Sequence, residues 1–363
     1  MITGLVAKNN GCLKDVDVRF SGLHALIGPN DSGKSTILRA IRTLSQLAKD
    51  RFVSENDIWQ PFDPGFAALP SHALLSAETP RGAYTYATAG LRPRLADGVR
   101  DGRETVADSS DNMASESRAL DEPTNLVAGR ASSDWRDEIL EHVARVHFLA
   151  LSEEGLRAAS GFMPRDDLSL RTRGEGLPGL YFALRNDREE VFDRILRQVR
   201  VLFPTVKTVR PQPRSSTELE LEVELVGGAR VRAPHISTGL LYFLAFAAIS
   251  EMTERTHTLL VEEPENGLHP ARIKEVIAVM RAVSEKQGMQ IIMTTHSPLV
   301  INELAPDEVS VVTRPSLEQG TVVTPIAKTA NFEKRAGVYA LGELWLSYAD
   351  GQTEAPLFSP TVR

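Results

Sequence analysis

The alternation of apolar and polar positions divides the chain into an ordered start, a polar middle and a regular last third. Ile2 to Ala7 is a strand in type, and Leu13 to Phe20 alternates apolar with charged residues as a half-buried strand does. Asn9-Asn10-Gly11 supplies the turn between them. The short apolar run His24-Ala25-Leu26-Ile27 reads as a buried strand. From Thr36 the period becomes helical, and a helix is predicted to about Lys49.

Beyond residue 50 the pattern weakens. Residues 92–134 are rich in Arg, Asp, Ser, Gly, Glu and Ala, with few large apolar side chains, so they can bury little. A flexible excursion is expected there, with an ordered insertion left open. Trp135 to Leu140 has an amphipathic helical pattern, and Val146 to Leu149 is strand-like. Leu177 to Leu184 and Val191 to Leu196 read as helices, the second ending near Pro204. Leu219 to Val226 alternates strictly, with Gly227-Gly228 as turn and a partner strand from Val231. Strands and helices then alternate: Leu259 to Val261, a helix from Ala271 to Glu285, Ile291 to Met293, Pro298 to Leu304, and Val309 to Val312. That order predicts a parallel sheet with crossover helices. The sequence shows no internal repeat and no long heptad run.

Composition narrows the class. The chain has 363 residues, 42% hydrophobic and 25% charged, as a globular protein of roughly two domains' length does. Its net charge is −7, so any contact with nucleic acid must be a local basic patch. Arg171-Thr172-Arg173 and Arg194 to Arg200 are the arginine-rich pieces. The single cysteine, Cys12, excludes an internal disulfide and a cysteine-built metal cluster. No apolar run approaches the ~18 residues of a membrane span, and the N-terminus lacks a signal-peptide pattern. A cytoplasmic location, with no membrane partner, is the expectation.

Into this frame falls Gly28-Pro29-Asn30-Asp31-Ser32-Gly33-Lys34-Ser35-Thr36, which fits G-x-x-x-x-G-K-[ST] between a buried strand and a helix. Glycines let backbone N–H groups curl around phosphate oxygens, and the helix N-terminus adds its positive end. Lys34 is expected to reach the β- and γ-phosphates of ATP, and the Ser35 hydroxyl to ligate Mg²⁺.

Hydrolysis needs an acid at the end of a neighbouring strand. Leu259-Leu260-Val261 ends in two, Glu262 and Glu263. Glu262 is expected to hold Mg²⁺ and Glu263 to act as general base on the attacking water. Ile236-Ser237-Thr238-Gly239 begins an apolar helix running from Leu241 to Ile249, and suits an anion or an ordinary N-cap; the sequence alone favours the cap. Pro264 to Pro270 is a turn rich in breakers. His296, in Thr294-Thr295-His296-Ser297-Pro298, follows an apolar strand at the end where open α/β sheets bind ligands.

The order of loop, Ser-x-Gly, double acid and histidine resembles the ABC-type ATPase superfamily. GPNDSGKST, ISTGLLYFL, LLVEEPENGLHP and TTHSP carry the resemblance to its soluble branch, which includes RecF, the SMC proteins and the OLD ATPases. GLPGLYFALRND and Leu341 to Trp345 are also similar to the stand-alone ATPases of that branch; residues 60–135 lie outside the likeness. The resemblance implies an α/β P-loop NTPase head with an antiparallel β lobe and a mainly parallel sheet flanked by helices. It divides into a phosphate-loop part (1–50), a partly flexible insertion (51–145), a helical and β subdomain (146–235) and a signature, Walker B and switch-histidine part (236–363).

The resemblance further implies a head-to-tail homodimer that sandwiches ATP. Ser237 and Gly239 are then expected to cap the γ-phosphate bound to the partner, Glu265 to His269 to line the seam, and His296 to contact the γ-phosphate. Three positions depart from the family pattern: Glu262 stands where Asp is common, Thr238 where Asp, Glu or Gly is common, and Asp31 where Gly is frequent. The glutamine that couples the lobes has Gln60 as its nearest match. The expected function is an ATPase switch in DNA maintenance or anti-phage defence, with a separately encoded effector, since the stretch after His296 is too short for an appended TOPRIM nuclease. DNA is a further expected partner. A transporter subunit and a non-hydrolysing regulator are the alternatives.

Overall fold

A computed structural model describes residues 1–50, 71–79, 82–93, 100–108, 115–119, 143–164, 167–252, 256–329, 332–333 and 339–344. Trp135 to Leu140, Gln60 and Trp345 lie outside the described residues. Two compact units emerge: residues 1–146, 257–260 and 290–363 form unit 1, and residues 147–256 and 261–289 form unit 2.

Unit 1 begins with β1 (Ile2–Asn10), β2 (Leu13–Arg19), β3 (Leu23–Ile27) and α1 (Lys34–Asp50). β1 and β2 pair antiparallel around Asn10-Gly11-Cys12, and Asn9 takes a positive φ of 55° at the turn. β4 (Ser71–Thr79), β5 (Gly82–Pro93), β6 (Arg100–Asp108) and β7 (Ser115–Ala119) extend this sheet in the order β2-β1-β4-β5-β6-β7. The described pieces of 92–134 are therefore antiparallel strands, not a wholly flexible excursion. Their polar composition hid them: a ladder is held by backbone hydrogen bonds, and a sheet needs only part of its side chains apolar.

The second sheet is mainly parallel and runs β15-β14-β3-β13-β12-β8. Its strands are β8 (Val146–Leu149), β12 (Thr258–Glu262), β13 (Gln290–Thr295), β14 (Val309–Thr313) and β15 (Val322–Pro325), with β3. β3 pairs parallel with both β13 and β14, and every residue of β3 is buried, as a central strand covered on both faces must be. Gln290 fastens the two sheets of unit 1. Its buried amide accepts from the Ile2 N–H at 2.8 Å and donates to the Ile2 carbonyl at 2.7 Å and the Ser21 carbonyl at 3.0 Å.

Unit 2 holds the helices α2 (Glu153–Arg157), α3 (Leu177–Asp187), α4 (Glu189–Leu202), α5 (Thr238–Ala247) and α6 (Pro270–Gln287). The short α7 (Pro298–Asn302) belongs to unit 1. A three-stranded antiparallel sheet in unit 2 runs β11-β10-β9, from β9 (Val206–Pro213), β10 (Leu219–Leu225) and β11 (Arg230–Arg232). In β10 the predicted apolar positions Leu219, Leu221 and Val223 are buried, but the alternating Glu222 and Glu224 are buried as well. The core of the unit closes where Tyr181 donates its hydroxyl to the Leu244 carbonyl at 2.9 Å and Glu251 accepts from Arg188 at 2.8 Å. Arg272 lies over the Phe203 ring at 5.3 Å and donates to the Leu202 carbonyl.

Candidate nucleotide site

In unit 1 the loop from Gly28 to Gly33 joins β3 to α1, so the strand aims the backbone at the N-terminus of the helix. Gly28 has no room for a side chain, because a Cβ would collide with the Val312 carbonyl of β14. Gly33 has φ 106°, a conformation L side chains rarely adopt, and a Cβ there would strike Thr321. Asp31 also lies in the left-handed region, at φ 62°. The Lys34 amine is buried and donates to the carbonyls of Gly28 at 2.9 Å and Pro29 at 2.8 Å, inside the ring of the loop. Pro29, Ser35 and Thr36 are half-buried, and Asn30 is exposed. Ser32 Oγ is buried and, among the described residues, has no hydrogen-bond partner.

Three residues far away in sequence hold the loop from behind. Thr321 donates its hydroxyl to the Ser32 carbonyl at 2.8 Å, and its N–H to the Cys12 carbonyl at 2.9 Å. Arg314 pairs with Asp31 at 3.1 Å. The Cys12 thiol, buried, approaches the Thr36 hydroxyl at 3.4 Å. No sequence signal marked Thr321 or Arg314, and Cys12 carried only a redox argument.

His296, at the end of β13, is half-buried, and Thr295 beside it accepts the Ser297 N–H at 2.9 Å. His24, on β3, is buried between Ser310 at 3.0 Å and Ser21 at 3.2 Å, and burial lowers its pKa to about 4.

In unit 2, Glu262 ends β12 with its Oε1 buried and, among the described residues, without a hydrogen-bond partner. A lone carboxylate oxygen withdrawn from water suits a cation. Glu263 adopts φ 45°, strained for a residue with a side chain, and its carboxylate accepts from the Asn266 amide at 2.8 Å. Ser237 stands at the N-cap position of α5, but its hydroxyl makes no capping bond and the residue is exposed. The sequence favoured an ordinary cap; here the first amides of the helix are left without that partner. A Cβ on Gly239 would come within 3.6 Å of the Gly267 carbonyl, and Gly267, at φ 72°, packs its Cα face on the Tyr242 ring. Unit 2 thus brings the Ser-x-Gly turn and the Glu265–His269 turn together. His269 caps α6 by accepting the Ala271 N–H at 3.2 Å.

A phosphate loop between a buried parallel strand and a helix, in a mainly parallel sheet, defines a P-loop NTPase fold. The family described as "AAA domain, putative AbiEii toxin, Type IV TA system" matches residues 23–302, and the chain belongs to it. It is 24% identical over 334 residues to the OLD nuclease of Thermus scotoductus, across 82% of this chain and 59% of that relative. The match therefore spans about three fifths of the relative's length. A second relative is the energy-coupling factor transporter ATP-binding protein EcfA1 of Methanospirillum hungatei, 36% identical over 77 residues, or 21% of this chain and 27% of that one. In fold, the chain is similar to an SMC head solved with the C-winged helix domain of ScpA. The TM-score is 0.56 at 19% identity, with 89% of this chain and 96% of that one covered. The chain is accordingly a member of that AAA-domain family with a fold similar to an SMC head. Among the described residues no helix is long and apolar enough to cross a membrane.

Proposed function

We propose that the chain is an ATP-hydrolysing switch whose single head dimerises around ATP and, from the cytoplasm, controls a separate effector in DNA maintenance or phage defence. The phosphate loop carries this reading, with Lys34 held inside a ring whose glycines admit no side chain. Lys34 and the loop amides bind the β- and γ-phosphates. Ser35, by its place in the phosphate loop, and Glu262, by its buried oxygen without a partner among the described residues, are each assigned to Mg²⁺. When bound, the ion neutralises phosphate charge. Glu263, oriented by Asn266, takes the proton of the attacking water. The uncapped Ser237 and the adjacent Gly239 are presented to the nucleotide of a second copy, with Glu265 to His269 beside them. His296 contacts the γ-phosphate in the same scheme.

The match to an OLD nuclease supports an effector that cuts nucleic acid. The short EcfA1 match favours the transporter reading over only 77 residues. ATP turnover and particle mass of the wild type and Glu263→Gln test the proposal. The variant is expected to bind ATP, lose turnover and accumulate as a dimer. Normal turnover in that variant contradicts the role of Glu263.

A further inference from the structure

Arg157, the last residue of α2, reaches out of its own helix to both ends of the Ser237 turn. Glu153, one helical turn back, accepts from its Nε at 2.9 Å, and the arginine side chain is only 19% exposed. The two terminal nitrogens then divide. One donates to the carbonyl of Ala233, where the 3-10 turn Ala233–His235 begins. The other donates at 3.3 Å to the hydroxyl of Thr238, the first residue of α5. Ser237 lies between these anchors, exposed and with no capping bond from its own side chain.

A guanidinium is a rigid plane, so the two anchors are fixed relative to each other. Residues 233–238 are thereby set as one piece, with Ile236 buried and the Ser237 carbonyl accepting the Leu241 N–H at 3.2 Å. The base of the brace is itself firm. Ser152 caps α2 by accepting the Gly155 N–H at 3.1 Å, and a Cβ on Gly155 would collide with the Arg173 carbonyl, so backbone lies directly against the helix. Thr238, which departs from the acid or glycine common at its place in the pattern, gains a role: its hydroxyl is the acceptor that Arg157 uses. The direction of the Ser237 hydroxyl is set by the backbone on either side of it, and that backbone is what Arg157 holds.

We propose that Arg157 is the positioning residue of the Ser-x-Gly turn, and that it acts on the nucleotide bound by the other copy, not on the one in its own phosphate loop. Its part is indirect: it holds Ser237 and Gly239 in the geometry that meets a γ-phosphate. The assignment rests on the shared-site reading above. It adds a residue whose defect travels with the turn and never with the loop.

The test is ATP turnover by mixed variants of the full chain. Arg157→Ala alone is expected to lose turnover about tenfold or more. Its binding of a fluorescent ATP analogue, on dilute protein, should stay within about threefold of wild type. Mixed in equal amounts with Lys34→Ala, it should recover about a quarter of wild-type turnover, because one site of the mixed dimer then has a sound loop and a sound turn. Mixed with Ser237→Arg, it should show nothing beyond its own residual activity, because each site then carries a damaged turn. The reverse pattern, recovery with Ser237→Arg and none with Lys34→Ala, assigns Arg157 to its own loop and overturns the proposal. Wild-type turnover in Arg157→Ala overturns it as well. Thr238→Val, which removes one acceptor and leaves Arg157 in place, carries the test should Arg157→Ala lose its fold by circular dichroism. It should lower turnover about threefold with nucleotide binding unchanged, and a loss confined to binding overturns the assignment. If Lys34→Ala and Ser237→Arg complement each other while Arg157→Ala complements neither, this assignment fails and the shared site stands. If that first pair does not complement, the shared site is contradicted and this assignment falls with it.

Discussion

Thr321 donates its hydroxyl to the carbonyl of Ser32 at 2.8 Å, across 289 positions of sequence. The bond is buried, and it fixes the middle of the phosphate loop. Thr321→Val removes the donor and leaves a buried carbonyl short of a partner, at a cost of about 1–3 kcal/mol. The expected result is a several-fold rise in KM for ATP with a smaller change in kcat, and Thr321→Ser should restore both. Steady-state kinetics of the pair decide it; equal KM values for Val and wild type contradict the brace.

Two glycines separate space from conformation. A Cβ on Gly28 would collide with the Val312 carbonyl, whereas one on Gly227 meets nothing within 4 Å. Gly28→Ala should cost about 3 kcal/mol or more in stability, and Gly227→Ala less than about 0.5. Chemical denaturation of both variants measures the contrast.

His24 makes stability depend on pH. Burial holds its folded pKa at about 4, below the ordinary 6.5, with the Glu308 charge opposing the shift. Between those values the unfolded chain takes a proton that the folded chain refuses. Stability from this residue is therefore complete above pH 6.5 and is lost as pH falls toward 4. About 2 kcal/mol should disappear between pH 7 and pH 5. Denaturation at the two pH values checks this, and His24→Gln should remove that part of the dependence.

Much of this was legible beforehand. Periodicity located β1, β2, β3, α1, β10, β12, β13 and α6, because each has one clear apolar face or is apolar throughout. β9 escaped because Pro211 and Pro213 argue against a strand; at the edge of its sheet a proline loses little. β15 is short, and its Val322 is exposed. The phosphate loop and the two acids were readable as motifs. Thr321, Arg314 and Cys12 were not, since their role is a contact and no local pattern encodes it. The free Ser237 hydroxyl was likewise invisible, because serine before a helix ordinarily caps it.

Asn266 orients Glu263 through a 2.8 Å bond at a strained φ of 45°. Asn266→Ala should lower kcat about tenfold with little change in KM, as loss of base alignment does. A change confined to KM would place Asn266 in binding instead.

The claim that two copies share each nucleotide is tested most directly by mixing two inactive variants, Lys34→Ala and Ser237→Arg. A head-to-tail dimer of one of each contains one site with both defects and one with neither. An equimolar mixture should therefore recover about a quarter of wild-type ATP turnover, since half the dimers are mixed and each has one sound site. A mixture as inactive as its components contradicts the shared site.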